Sequence, residues 1–196
     1  MRINHFEYFT FTYLDSPIEK IDDYVQKKLG DSGKYKITRT PFKFDLYETC
    51  PPKGGAHFEK LYFFAPKTCE DKCIMFSNYP DGFSSLVYNI SDALKIKAYC
   101  FQISTNDVPD AMNAFMYIEN GKEVRTVYAM KDPKWNFYCH GEIQPFEDKE
   151  LYQRKMIKRR LDKEALISYC AKLGIDILDD AFWESQQSVL VERLSW

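Results

Sequence analysis

Residues 111–130 read AMNAFMYIE-NG-KEVRTVYAM: two nine-residue runs, rich in aromatic and β-branched positions, joined by Asn120-Gly121. Asn-Gly between two such runs is the strongest short-range hairpin signal, because both central residues of the tight turn need positive φ. Outward from it, Ile96 to Thr105 reads as a long strand before the hairpin. Lys131-Asp132-Pro133-Lys134 turns the chain into another, Trp135 to His140, which Gly141 ends. These strands form an antiparallel meander.

Upstream, the helical period interrupts the strands twice. Ser16-Pro17-Ile18-Glu19 has the form of a capping box with Pro at the first helical position. Ile18, Ile21, Val25 and Leu29 follow at helical spacing, with Gly30 placed as the left-handed cap. Pro80-Asp81-Gly82 introduces a second helix carrying Phe83, Leu86, Val87, Ile90 and Leu94 on one face. Strands are expected over His5 to Tyr13, Tyr35 to Thr40, Phe42 to Glu48, Phe58 to Ala65 and Cys73 to Tyr79, with a loop at Thr49 to His57. From Glu147 the pattern turns helical: a charged helix to about Arg159, one capped by Asp162 and stopped by Gly174, and a short one from Asp179 or Asp180. Ser188 to Leu194 reads as a last strand, with helical continuation as the alternative.

The fold class is α+β: mainly antiparallel sheet, amphipathic helices on one face, and a helical C-terminal segment. One compact domain over 1–196 is expected, because no Pro/Gly/Ser linker divides the chain; its sub-blocks are 1–72, 73–146 and 147–196. The order strand, helix, several strands occurs at 5–65 and again at 73–140. That order admits an internal duplication, and an independent α+β layout is the alternative.

Composition narrows the function. The chain has 196 residues, 27 Lys+Arg against 29 Asp+Glu, and 16% aromatic residues. It is long enough to bury about 70% of its unfolded surface without disulfides or metal, and its Tyr and Phe content is incompatible with disorder. A net charge of -2 supplies no global field for a nucleic-acid backbone. Residues 1–13 lack the form of a signal peptide, and no apolar run approaches the ~20 residues of a membrane-spanning helix. The six cysteines are expected to be reduced, cytosolic thiols, with Cys100, Cys139 and Cys170 as small buried hydrophobes in strands or a helix. The expected compartment is the cytoplasm. Asn89-Ile90-Ser91 matches a glycosylation sequon but falls within a helix, so chance is the better reading.

The chain contains no G-x-G-x-x-G, G-x-x-x-x-G-K-[ST], H-E-x-x-H or G-x-S-x-G, which leaves nucleotide, zincin and nucleophile-elbow chemistry without their usual signatures. No cofactor or metal is expected. Cys69-x-x-x-Cys73 is half of a zinc site that only Cys50, His57, Cys139 or His140 could complete. The most suggestive catalytic stretch is residues 135–142. Period-two alternation puts Tyr138, His140 and Glu142 on one face, apart from Cys139, with Arg125 on the neighbouring strand as an anion clamp. A cross-strand or solvated role for His140 is the alternative.

Arg154-Lys155-Met156-Ile157-Lys158-Arg159-Arg160 carries five positive charges in seven residues. On a helix, Met156, Ile157 and Leu161 would face inward and the charges would form a solvated face balanced by Glu147, Asp148, Glu150 and Asp162. The other readings are an acidic protein partner and nucleic acid, the latter disfavoured by the acidic tail from Asp176. Trp135, Arg125, Arg154, Lys158 and Arg159 are the candidate binding residues.

Gly82-Phe83-Ser84-Ser85-Leu86, Phe101-Gln102-Ile103-Ser104, the Asn120-Gly121 hairpin with Val124-Arg125, Trp135, Gly141 and Pro145-Phe146-Glu147 together resemble small bacterial immunity-type α+β proteins. The resemblance implies a non-catalytic, protein-binding role in which a cognate toxin is neutralised. The alternatives are a small enzyme using the Tyr138/His140/Glu142 face, or a regulatory or scaffold domain. No toxin-contacting residue carries over, because binding surfaces in such proteins vary.

Overall fold

The computed structural model describes residues 7–42, 44, 58–79, 81–105 and 107–196. His5, Cys50, His57 and Pro80 lie outside them, as do the loop read at 49–57 and most of the strand read at 42–48. Within the described residues the elements are β1 (Tyr8–Leu14), α1 (Ile18–Leu29), β2 (Tyr35–Arg39), β3 (Lys60–Phe64), β4 (Cys73–Ser77), α2 (Ser84–Leu94), β5 (Lys97–Ser104), β6 (Met112–Glu119), β7 (Lys122–Asp132), β8 (Lys134–His140), α3 (Lys163–Lys172) and β9 (Ser188–Arg193). The nine strands form one sheet in the order β2-β9-β3-β4-β1-β5-β6-β7-β8, antiparallel at every pairing. The α+β reading therefore holds, and the 96–140 region is the meander its alternation announced.

The two faces of the sheet differ in chemistry, and the difference decides what covers each. Period two sends Phe9, Phe11 and Tyr13 of β1 to one side with Phe64, Phe76, Phe101 and Phe115. Leu14 goes to the other side with Leu61, Met75 and Val191. The branched, largely aliphatic face takes α1 and α2 through Ile18, Ile21, Val25, Leu86, Val87 and Ile90. The aromatic face is covered by the C-terminal segment, whose Trp183 lies edge-on to Phe9 and Phe11 with centroids at 5.5 and 5.9 Å. The Trp183 indole N–H donates to the Ile177 carbonyl at 3.0 Å, so the buried ring leaves no polar group unsatisfied. Helices α1 and α2 thus share one face as expected, but the opposite face is covered too. Strand β1, buried on both sides, is central.

The duplicated order does not become a duplicated topology. From β1, α1 carries the chain past three strands to β2, whereas from β4, α2 passes only β1 to reach β5. The last strand, β9, is inserted between β2 and β3. Both ends of the chain therefore build the left half of the sheet.

Local signals fare unevenly. Asn120 and Gly121 both take positive φ, 51° and 73°, as a tight hairpin demands. The Ser91 hydroxyl accepts from the Gly121 N–H and donates to the Ile96 carbonyl, tying the hairpin to the end of α2; this is the role of the buried serine of the sequon. Asp162 caps α3 by accepting from Ala165 N, and Gly174 ends that region at φ 79°. The capping box at Ser16 does not form: Pro17 occupies the N-cap, and the Ser16 hydroxyl donates to the Pro17 carbonyl instead. Gly30 remains right-handed because the helix tightens into a 3₁₀ turn over Gly30–Ser32, and Gly33 takes the left-handed position.

The helix expected at 147–159 is replaced by two single 3₁₀ turns, Leu151–Gln153 and Ile157–Arg159, separated by extended backbone at Arg154 and Met156. On an α-helix Arg154 would stack on Lys158, and Lys155 on Arg159, pairing like charges. In the broken form the Arg160 Nε donates to the Arg154 carbonyl at 2.8 Å and Arg154 to the Arg159 carbonyl at 3.3 Å. Met156, expected inward, is 49% exposed.

Because Trp183 packs on rings from three strands, Phe9 and Phe11 of β1, Phe64 of β3 and Phe76 of β4, Trp183→Ala is expected to cost about 3–5 kcal/mol. Urea denaturation followed by far-UV circular dichroism measures this, and a loss below about 1 kcal/mol would show that the segment 174–187 is not what seals that face.

Candidate functional site

The site is built by one irregularity in β7. Pairing of β6 with β7 runs in register from Met112↔Met130 to Tyr117↔Arg125 and then shifts, so that Ile118 faces Glu123 and Val124 is the extra residue. A one-residue shift reverses which face a side chain occupies. Continued without the bulge from the Asn120-Gly121 turn, the register would bring Arg125 opposite Met116, toward the helices. With the bulge it lies opposite Tyr117, on the aromatic face beside Val127 and Ala129.

There Arg125 is 2% exposed and meets the fully buried side chain of Glu147 in a two-pronged pair: Nε to Oε1 at 3.0 Å and Nη2 to Oε2 at 2.7 Å. The remaining guanidinium nitrogen, Nη1, donates to the carbonyls of His140 and Gly141 at 3.1 and 2.8 Å. Glu147 also accepts from the Gln144 N–H at 2.7 Å and the Tyr152 hydroxyl at 2.6 Å. Tyr169 O–H donates onward to the Tyr152 oxygen at 3.1 Å, and itself accepts from the Asp148 N–H. Burial works against the Arg125 charge, and the Glu147 carboxylate outweighs it, holding the guanidinium protonated above its ordinary range. Burial first, then the hydrogen bond donated to Glu147, push the Tyr152 phenol far above its ordinary range. Gly141, at φ 83°, is where the chain turns under this network. A Cβ there would stand 1.9 Å from the Val124 carbonyl oxygen, so only glycine lets the two carbonyls approach Arg125.

The anion clamp expected of Arg125 is thus filled from within the chain. Tyr138 and His140 do share a face of β8, the face turned away from the C-terminal segment. Tyr138 is 44% exposed and stacks on Tyr128 at 5.1 Å. Glu142 is not held with them, because Gly141 ends the strand and its pleat before position 142. The opposite face of β8 carries Trp135 and Phe137, half-buried against the aromatic core, and Cys139, which is exposed rather than the buried hydrophobe expected. Trp135 accordingly packs inward instead of standing out as an anchor.

Alongside Phe137 and Cys139 opens a cleft of about 750 Å³, lined also by Arg125, Tyr152, the 51%-exposed Ile143, Lys149, Arg160 and the carboxylate of Glu150. Arg160 lies over the Phe137 ring at 5.5 Å. Arg154 and Arg159 are exposed and Lys158 is half-buried on the same segment. The acidic balance expected for these cations is not realised. Glu147 is taken by Arg125, the Asp162 carboxylate caps α3, and an Asp148 oxygen accepts from the Glu150 N–H. Among the described residues none of Lys149, Arg154, Lys155, Lys158, Arg159 or Arg160 forms an ion pair.

The cysteines elsewhere are separate. Cys73 is buried in β4, and burial raises its thiol well above the ordinary range; burial likewise lifts the Cys100 thiol to about 11. Cys69 donates to Asp71 in a polar turn. Cys69, Cys73, Cys100, Cys139 and Cys170 are all free thiols, and among the described residues no three His, Cys, Asp or Glu side chains converge as metal ligands. No helix among the described residues is long and apolar enough to cross a membrane.

No family model, no curated protein and no solved structure matches this chain. Sequence reasoning named Arg125, Arg154, Lys158 and Arg159 but missed Glu147, Gln144 and Tyr152 as partners. One signal was present: Arg125, Val127 and Ala129 share a period-two phase, which places the arginine on the inward face with two small apolar residues. Its partner lies beyond a turn and a strand, where no local pattern reaches.

Two outcomes follow from the buried network. Glu147→Ala strands an uncompensated buried guanidinium and is expected to cost about 3–5 kcal/mol. The double variant Arg125→Met/Glu147→Leu is expected to lose less than the sum of the two single changes, and additive losses in a urea double-mutant cycle would deny the coupling. In alkali, Tyr152 stays protonated in the folded chain while its unfolded counterpart ionises near pH 10. Stability is therefore full below that pH and falls by about 1.4 kcal/mol per pH unit above it for this group. Urea midpoints at pH 9, 10 and 11 check this, with Tyr152→Phe expected to fall less steeply.

Proposed function

We propose that this chain is a non-catalytic protein-binding module, and that its partner is a toxin-type protein which it neutralises as immunity proteins do. The observation that carries the binding role is the set of cations along 149–160 that stand without carboxylate partners beside an apolar-walled cleft. A chain of net charge -2 has acidic residues enough to satisfy them, yet Glu147 is held by Arg125, Asp162 caps α3, and Glu150, exposed at the same cleft, forms no ion pair with any of them among the described residues. Unpaired charge held beside a cleft is the arrangement that steers and orients a complementary partner. The site chemistry agrees with this, because the buried arginine that could have gripped a substrate anion holds the protein's own Glu147. The toxin-neutralising specificity rests on the resemblance in sequence style, and the cytoplasm is the compartment proposed from the cysteine usage.

Affinity capture of the tagged chain from its native host, quantified by mass spectrometry, tests the reading. One protein near one-to-one is expected, and the purified chain should abolish that protein's toxicity or enzymatic activity at equimolar ratio. A chain that emerges without any stoichiometric protein, or with one whose activity it leaves intact, would overturn it.

A further inference from the structure

Strand β8 is an edge of the sheet: it pairs with β7 through Thr126↔His140 to Asp132↔Lys134, and among the described residues nothing pairs with its other side. An open edge presents a row of backbone donors and acceptors that an extended segment satisfies by adding a strand. Any added strand alternates its side chains between two surfaces, and the two surfaces here are unlike. On one side lie the cleft, lined by Lys149 and Arg160 with Glu150 beside them, and the Ile157–Arg159 turn packed against β8, which carries Lys158 and Arg159. On the other lies the uncovered face of Tyr128, Met130 and Tyr138, which α1 and α2 do not reach.

Building on the protein-binding reading, we infer that the partner docks as an added β-strand on the β8 edge, through an extended segment in which acidic residues alternate with apolar ones. The acidic positions face the 149–160 cations and the apolar positions extend the Tyr128/Tyr138 face. A second copy of this chain does not fit the edge. Antiparallel pairing of two β8 strands would set Lys134 against His140 and bring two unpaired cationic segments side by side. Nucleic acid fits less well, since the cleft walls offer Ile143 and Cys139 beside a Phe137 ring already covered by Arg160, instead of exposed stacking rings.

The test uses a fluorescein-labelled, end-blocked dodecapeptide of alternating glutamate and valine, titrated with the full chain by anisotropy. A lysine–valine peptide and a dodecathymidylate serve as controls. Saturable binding of the glutamate peptide alone is expected, weakening with salt and at least tenfold in Lys158→Glu/Arg159→Glu. Cys139→Trp, which fills the cleft, is expected to produce a similar loss. Thermal melts must show both variants folded; if either is not, Arg159→Ala replaces it with an expected loss of several-fold. Hydrogen exchange should show new amide protection at 134–140 when the peptide is bound. The inference falls if the glutamate peptide does not bind, if it binds without protecting β8, if only the oligonucleotide binds, or if the chain dimerises through β8. The charge-reversed variant also separates the two readings in host capture. A partner retained at full stoichiometry by that variant would sink the edge-docking inference while protein binding stands, and a wild-type chain that captures nothing would sink the protein-binding reading itself.

Discussion

The Arg125–Glu147 pair is the interaction around which the right half of the molecule is arranged. It exists because a single extra residue in β7 turns the arginine inward, and a guanidinium taken out of water must find a carboxylate and carbonyls to satisfy its donors. Those partners come from three places: Glu147 after the meander, and the carbonyls of His140 and Gly141 at the end of β8. The chain after β8 is therefore drawn back under the sheet at once, and Tyr152 and Tyr169 extend the same network into the C-terminal segment. Such a pair gives little net stability compared with an apolar equivalent, but an unmade one is costly, so it selects a single path for residues 141–152.

That path has a consequence for surface charge. Glu147 lies at the start of the most basic stretch of the chain, and its carboxylate is held in the interior by Arg125. Its removal to the interior leaves 149–160 positive, and the broken 3₁₀ path of the segment sets Lys149 and Arg160 at the cleft and Lys158 and Arg159 on a turn against β8. Folding energetics and a binding surface thus have one origin. The candidate catalytic face of Tyr138 and His140 survives as a surface of β8, but without the clamp from Arg125 and without Glu142 on the same pleat.

The sheet also shows why unlike faces need unlike covers. Aliphatic side chains on one face meet the ridges of two amphipathic helices. The rings on the other are covered by α3, through Leu166 and Tyr169, and by the 174–187 segment, through Trp183.

Much of this was legible in the residues themselves. Period-two alternation, the Asn-Gly turn and the helical stripes of α1 and α2 act over a few residues, and each appeared as an element where the pattern put it. Asp162 and Gly174 bracket α3 because capping is likewise a local bond. What the tertiary structure alone decided are matters between distant segments: β9 entering between β2 and β3, the register shift that reconciles the inward phase of Arg125 with the Asn120-Gly121 turn, and the diversion of Glu147. Ser16 and Gly30 were misjudged for a related reason, since both are competent caps and the choice between neighbouring caps is made by how the helix seats on the sheet. The identity of the 147–159 segment was lost the same way, because its helical pattern was real but Glu147, one of its three acidic residues, is bound by Arg125 in the interior. Sequence determines which groups must be satisfied, and only the assembled sheet determines with which partner.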